Sequence, residues 1–469
     1  MYIKPQKTFS PMPKFNLIRE FRAPFLIFIF TISILAFLSI GVTNTNAATP
    51  TINDTKLKVE VVFKGLKFPT SMAFLGPNDI LVLEKNNGTV QRIVNGTLLP
   101  KPLLDVNVAN RNERGMLGID IAKHDDMNRR STNVFLYFTE SKTKDGSDVD
   151  ENKKPLGNRV YRYELVGDRL INPKLLLDLP AQPCCSHNGG RVVIGPDNNL
   201  YVTIGDLIGN TNNTKGINFT IITDADGRAG ILRVTQDGKQ VGKGLLGKSY
   251  PLNLYYAYGI RNSFGLAFDP LTDTLWDTEN GDTYGDEMNH VEPGFNSGWR
   301  KIQGVWEGWR REAGADMSIP PKGMAVFGGK GKYSMPEFSW KIPVGVTALS
   351  FLNSSKLGKE YENDLFVASF HAGHIYHFDL NENRTSPVLN NQLTDNKADN
   401  MEELEPVTFG TGFGGITDMK MGPDGYLYIL TIAEEGDDCH VTTSKDCVAY
   451  NSGIEGTIFR IVPANSESS

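Results

Sequence analysis

From about residue 55 onward, apolar positions recur in short alternating runs, each set off by a turn rich in Gly, Pro, Asp and Asn. The theme runs turn, strand, glycine, second strand. It occurs as LGPNDILVLEKNNGTVQRIV from Leu75, IGPDNNLYVTIGD from Ile194 and FDPLTDTLWDTENGD from Phe268, and returns as ENDLFVASFHAGHIYHFDL from Glu362. A last copy, MGPDGYLYILT from Met421, is closed by GTIFRIV from Gly456, and NVFLYFTES from Asn133 finds its partner in NRVYRYEL from Asn158. Period-two strands separated by such turns predict antiparallel hairpins, and their recurrence as four-stranded units predicts propeller blades. The spacing predicts an all-β fold: a six-bladed β-propeller of four-stranded antiparallel blades over residues 55–463. No amphipathic helix of three turns interrupts the series, which excludes an α/β fold. Insertions near 140–157, 207–222 and 300–338 read as loops gathered on one face, the usual place for a site in a repeat architecture.

The N-terminus breaks the pattern. Lys4, Lys7, Lys14, Arg19 and Arg22 precede the apolar run APFLIFIFTISILAFLSIGV from Ala23, followed by TNTNAATP. Residues 1–48 read either as a signal peptide cleaved near Ala47 or as an uncleaved membrane anchor. Both place the rest of the chain outside the cytoplasm, secreted or held on the outer face of the membrane. Cys439 and Cys447 then suit a disulfide, while adjacent Cys184 and Cys185 are either buried thiols or a vicinal disulfide. Asn-x-Ser/Thr triplets at Asn53, Asn87, Asn95, Asn212, Asn218, Asn353 and Asn383 fit glycosylated loops. A net charge of −6 over 469 residues gives no basic stripe, so nucleic acid is excluded as a partner.

Candidate chemistry falls where blade loops meet. His187, one of seven histidines, ends a polar turn just before a strand, and an imidazole is suited to moving protons near neutrality. In NERGMLGIDI, Glu113 stands two residues before a glycine that leads into a strand. In YAYGIRNSFGLAFDP, Arg261 and Asn262 sit between a glycine and an apolar strand, where a guanidinium offers fixed charge and planar donors to an oxyanion. In TENGDTYGDEMNHVEPGFNSGW, Glu279, Asp282, Asp286 and Glu287 mix with glycines and Asn280, hard oxygen ligands on sharp turns that suit Ca²⁺.

Taken in order, SHNGGRVVIGPDNNLYVTIGD, GRAGILRV, YGIRNSFGLAFDP, GDEMNHVEPGFNSGW and ITDMKMGPDGYLYIL resemble the soluble glucose/sorbosone dehydrogenases, the PQQ-dependent aldose sugar dehydrogenases. The resemblance covers residues from about 58 to 463. It implies PQQ and Ca²⁺ as cofactors, an aldose substrate oxidised to a lactone, and an external electron acceptor. It makes His187 the base that takes the anomeric hydroxyl proton, and sets Arg261 and Asn262 beside the quinone, with Glu113 near substrate and cofactor. It assigns the cofactor's Ca²⁺ to the backbone carbonyls of Gly281 and Asp282, supported by Asp286, and links Glu287 to a second Ca²⁺. The sequence departs from the best-studied branch at several points. Ser186 replaces the Asp that precedes the base, His371 takes a cofactor-binding Lys position, and Gly415 and Thr417 take those of two arginines. Lys420, Arg191 or the insertion loops are the replacements left for holding a tricarboxylate. Two other functions suit a propeller: a non-enzymatic extracellular binding module, and a Ca²⁺-dependent lactone hydrolase.

Overall fold

In the computed structural model the described residues are 50–126, 129–143, 154–183, 185–207, 225–305, 324–390, 392–432 and 455–465. The N-terminal segment 1–48, Cys184, Cys439, Cys447 and most of the three insertions lie outside them, and with them both disulfide expectations. Among the described residues no helix is long and apolar enough to cross a membrane. The helices are 3₁₀ segments of three or six residues, such as Leu252–Leu254 and Glu402–Val407.

The strands fall into six sheets. Their innermost strands are, in chain order, Pro69–Gly76, Met116–Asp126, Val192–Ile194, Ser263–Phe268, Val346–Phe351 and Ile416–Met421. Each contacts the next, and the last contacts the first, so the six close a ring. The fold is an all-β propeller.

Why these segments form strands is visible in the second strand of each sheet. Asp79–Glu84, Asn199–Ile204, Leu365–Ser369 and Leu427–Thr431 are buried almost throughout. Each is covered on both faces by neighbouring sheets, so its sequence reads as a continuous apolar run rather than a simple alternation. The side chains still sort by period two. Leu365 and Val367 pack toward the fourth sheet, whereas Phe366 and Ala368 pack toward the sixth. The core is accordingly six wedges, one between each pair of neighbouring sheets. Outer strands are half-solvated, and Arg169–Leu179 carries a run of exposed residues.

The blades depart from four antiparallel strands each. The second and sixth sheets have four strands, but the third has six and the others five. The additions include two-residue parallel pairings, Tyr258 with Asn296 and Ser339 with Lys397. Connecting loops here satisfy the open N–H and C=O groups of an edge strand. Segments of two residues are too short for any periodicity to announce them.

An ion pair fills the ring's centre. Arg191 Nη1 donates to Asp418 Oδ1 at 2.6 Å, with both side chains buried. Arg191 also donates to Phe264 O and Thr347 O, while Asp418 accepts from Ser71 Oγ and Met72 N. Five sheets therefore meet on one pair. The second joins through Lys420 Nζ, which donates to Ile119 O.

Candidate active site

A cavity of about 280 Å³ opens where the six inner strands begin. His187, Arg261, Glu113, Asn262, Asn280, Gly281, Asp282, Asp286, His371 and Thr417 all line it, although they come from five different sheets. Glu287 does not.

His187 has a backbone φ of +59°, a left-handed conformation that a non-glycine residue holds only when its surroundings impose it. Three contacts do so. Its N–H donates to Glu113 Oε2 at 2.7 Å, its Nδ1 lies 2.6 Å from Asp206 Oδ1, and its carbonyl packs against Gly205, where a Cβ would approach to 2.3 Å. Against the Asp206 carboxylate, Nδ1 carries the proton, which leaves Nε2 as an acceptor with no hydrogen-bond partner among the described residues. Asp206 is held in turn by Trp299 Nε1 at 2.7 Å and by Arg261 O, which accepts its N–H. Ser186 leaves no gap in this arrangement, because the orienting carboxylate arrives from the end of the following strand.

Arg261 lies across from this dyad. Its Nη1 donates to Asn280 O at 2.9 Å and its Nη2 to Asp282 Oδ1 at 3.2 Å, while the guanidinium stands 5.3 Å from the Trp299 ring centre. Its Nε is buried without a hydrogen-bond partner among the described residues, a donor left open toward the cavity. Asn262 accepts from Gly189 N and donates to Glu113 Oε2 at 3.1 Å, tying base, cation and carboxylate into one network.

The loop from Asn280 to Asp286 is wound about a carboxylate. Asp286 accepts from the N–H groups of Gly281, Val344 and Gly345, yet burial still raises its pKa. Burial lowers that of His371 nearby, with Asp286 opposing the shift. Gly281 is required by close approach, since a Cβ there would stand 2.2 Å from Tyr284 O. Among the described residues nothing hydrogen-bonds to the carbonyls of Gly281 and Asp282. Two hard oxygens and a nearby carboxylate suit a calcium ion, and the partnerless Arg261 Nε suits an anionic or quinone oxygen, so the residues fit both implied groups. The expected replacements for the missing cations are corrected. Arg191 lines the cavity, but its guanidinium is engaged with Asp418 and two carbonyls, and Lys420 does not line the cavity. Lys85, buried in the wall, was not singled out in the sequence.

Behind the cavity Asp277, Glu279 and Glu287 share one face of the fourth sheet, Glu279 directly opposite Glu287. The Ser297 hydroxyl lies 2.6 Å from Glu279 and 3.0 Å from Glu287, and one hydroxyl proton cannot serve both. Burial, joined by mutual repulsion, drives Glu279 well up and Asp277 and Glu287 to about 7. Folded carboxyls that bind protons more tightly than unfolded ones add stability below the ordinary carboxylate range and lose it as the pH rises through about 7. In chelator, the thermal midpoint should therefore fall between pH about 5 and about 8, and Glu287→Gln should flatten the fall. A flat wild-type profile would remove this account of the cluster.

The closed propeller thus gathers an oriented histidine, a buried arginine and a hydrogen-bonded carboxylate around one cavity. The chain belongs to the Glucose / Sorbosone dehydrogenase family, whose pattern matches residues 66–440. It is 25% identical over 398 residues to the aldose sugar dehydrogenase YliI of Escherichia coli, covering 83% of this chain and 93% of that one. It is 28% identical over 262 residues to quinoprotein glucose dehydrogenase B of Acinetobacter calcoaceticus, about half of each chain (52% and 52%). The PQQ-bound aldose sugar dehydrogenase of Streptomyces coelicolor superposes with a TM-score of 0.58 at 21% identity, over 88% of this chain and all of that one, and so shares the fold.

Proposed function

We propose that this protein is a PQQ- and Ca²⁺-dependent aldose dehydrogenase of the extracytoplasmic space, built on a six-bladed propeller spanning 55–463 in which each sheet is one blade. In this reading the N-terminal segment is its signal or anchor, and electrons leave to an external acceptor. The observation that carries it is the His187–Asp206 dyad, with a free Nε2 in the same cavity as Arg261.

An aldose bound with its anomeric hydroxyl at His187 Nε2 gives up that proton to the imidazole as the C1 hydride departs, leaving the lactone. The Asp206 carboxylate stabilises the imidazolium that forms. Arg261 holds a fixed positive charge where negative charge accumulates, and Asn262 and Glu113 keep the His187 turn from moving. PQQ supplies the two-electron redox chemistry when bound, and Ca²⁺ held by the Gly281 and Asp282 carbonyls supplies Lewis acidity. Asp206→Asn should lower kcat by about 10²-fold or more with a smaller effect on PQQ affinity, because its carboxylate orients His187 and Trp299 and does not itself line the cavity.

Reconstituting the purified exported portion with PQQ and Ca²⁺, then measuring aldose-dependent dye reduction, tests the reading. Activity should require both cofactors and disappear in chelator. A protein that binds no PQQ at any Ca²⁺ concentration would overturn it in favour of a non-enzymatic binding module. Release of product from a lactone without any dye reduction would favour the hydrolase.

A further inference from the structure

We infer that Asp364, His377 and Asp379, on the fifth sheet, form a binding site for a divalent transition-metal ion. The strand register makes the site. Leu365 pairs with Phe378 and Phe366 with His377, so the next opposed positions are Asp364 and Asp379. His377 and Asp379 are two apart and share a face, and Asp364 stands on that same face across the ladder. His377 Nε2 lies 2.9 Å from Asp364 Oδ2 and 3.6 Å from Asp379 Oδ1. One ligand atom from each residue lies within 4.8 Å of the other two. Tetrahedral ligands about 2.1 Å from zinc stand about 3.4 Å from one another, so small side-chain adjustments close the site.

The surroundings hold these ligands in place and favour a cation. The imidazole is seated between Phe366 and Tyr361, with ring centres 4.9 and 5.2 Å away. Tyr361 is itself fixed, its hydroxyl donating to Asp54 at 3.0 Å. Lys56 is paired with Glu360, 3.4 Å away. A metal ion entering the site would take the imidazole Nε2 and one oxygen from each carboxylate and complete its coordination with water.

One imidazole nitrogen and two carboxylate oxygens select Zn²⁺, Co²⁺ or Ni²⁺ over Ca²⁺, which prefers six to eight oxygens. The site belongs to the sheet rather than to the cavity. It clamps Leu365–Ser369 to Ile375–Phe378 and stabilises the fold in proportion to metal occupancy.

The test uses the protein without a polyhistidine tag, stripped by chelator and returned to saturating Ca²⁺. Titration with zinc chloride should give one equivalent bound and a raised thermal midpoint, and Co²⁺ should produce visible absorption bands. His377→Ala should abolish both signals. Asp379→Asn, at a side chain 66% exposed and so harmless to folding, should weaken zinc binding about tenfold or more. No zinc uptake by the wild type, or wild-type affinity in both variants, would overturn the assignment.

Discussion

Replacing His187 with alanine should slow reduction of the PQQ-loaded protein by an aldose roughly 10²- to 10⁴-fold, the usual worth of a positioned general base, while PQQ remains bound. The split between rate and retention follows from the geometry. His187 lines the cavity with its Nε2 free of protein partners among the described residues, while its Nδ1 and N–H are taken by Asp206 and Glu113. Arg261 differs, since its guanidinium borders the cavity with an unsatisfied Nε, and Arg261→Ala should cost both rate and cofactor affinity. Stopped-flow reduction beside a PQQ titration separates the two. Reduction at the wild-type rate in the His187 variant would remove it as the base.

Arg191→Met should lower the free energy of unfolding by about 3–5 kcal/mol, the cost of leaving Asp418 in the interior without its ion-pair partner. Burial alone would push Asp418 upward, but Arg191 and Lys420 outweigh it and hold its pKa below the usual carboxylate range. A depressed carboxyl adds stability that is present above its unfolded pKa and lost only as the pH falls through the folded one, so the pair acts fully at neutral pH. Asp418→Leu added to Arg191→Met should recover part of the loss, because the uncompensated charge is gone even though Ser71, Met72, Phe264 and Thr347 lose a partner. Denaturant unfolding of the three variants checks this. A single-variant loss under about 1 kcal/mol would show that the ring does not depend on its central pair.

The repeat was legible because the second strand of four of the sheets is buried almost throughout and so stands out as apolar letters between turn letters. Tyr255–Tyr258 and Arg169–Leu179 were not picked out. The first is four residues long, and the second is an outer strand whose solvated run blurs its period. In the site, residues inside glycine-rich motifs were visible, and the structure brings them to one cavity. Asp206 was missed as a partner of His187 even though it ends the same quoted stretch, because nothing in a linear sequence tells which strand end folds back on which turn. Trp299 closes the quoted GDEMNHVEPGFNSGW, yet nothing in that motif tied it to Asp206, 93 residues earlier. Arg191 misled for a related reason: its charge was plain, but its engagement with Asp418, 227 residues away, was not.

The sixth sheet pairs the chain's first long strand, Leu57–Lys67, with its last, Glu455–Pro463. Nothing can take that place until the final strand exists. A ribosome adding about 5–20 residues per second leaves the first strand waiting for tens of seconds, its ladder groups open to any passing edge. Leu57–Lys67 therefore stays without its ladder partner until Glu455–Pro463 has been made, and a chain ending before Glu455 would lack the strand that keeps Leu57–Lys67 from pairing with a second molecule.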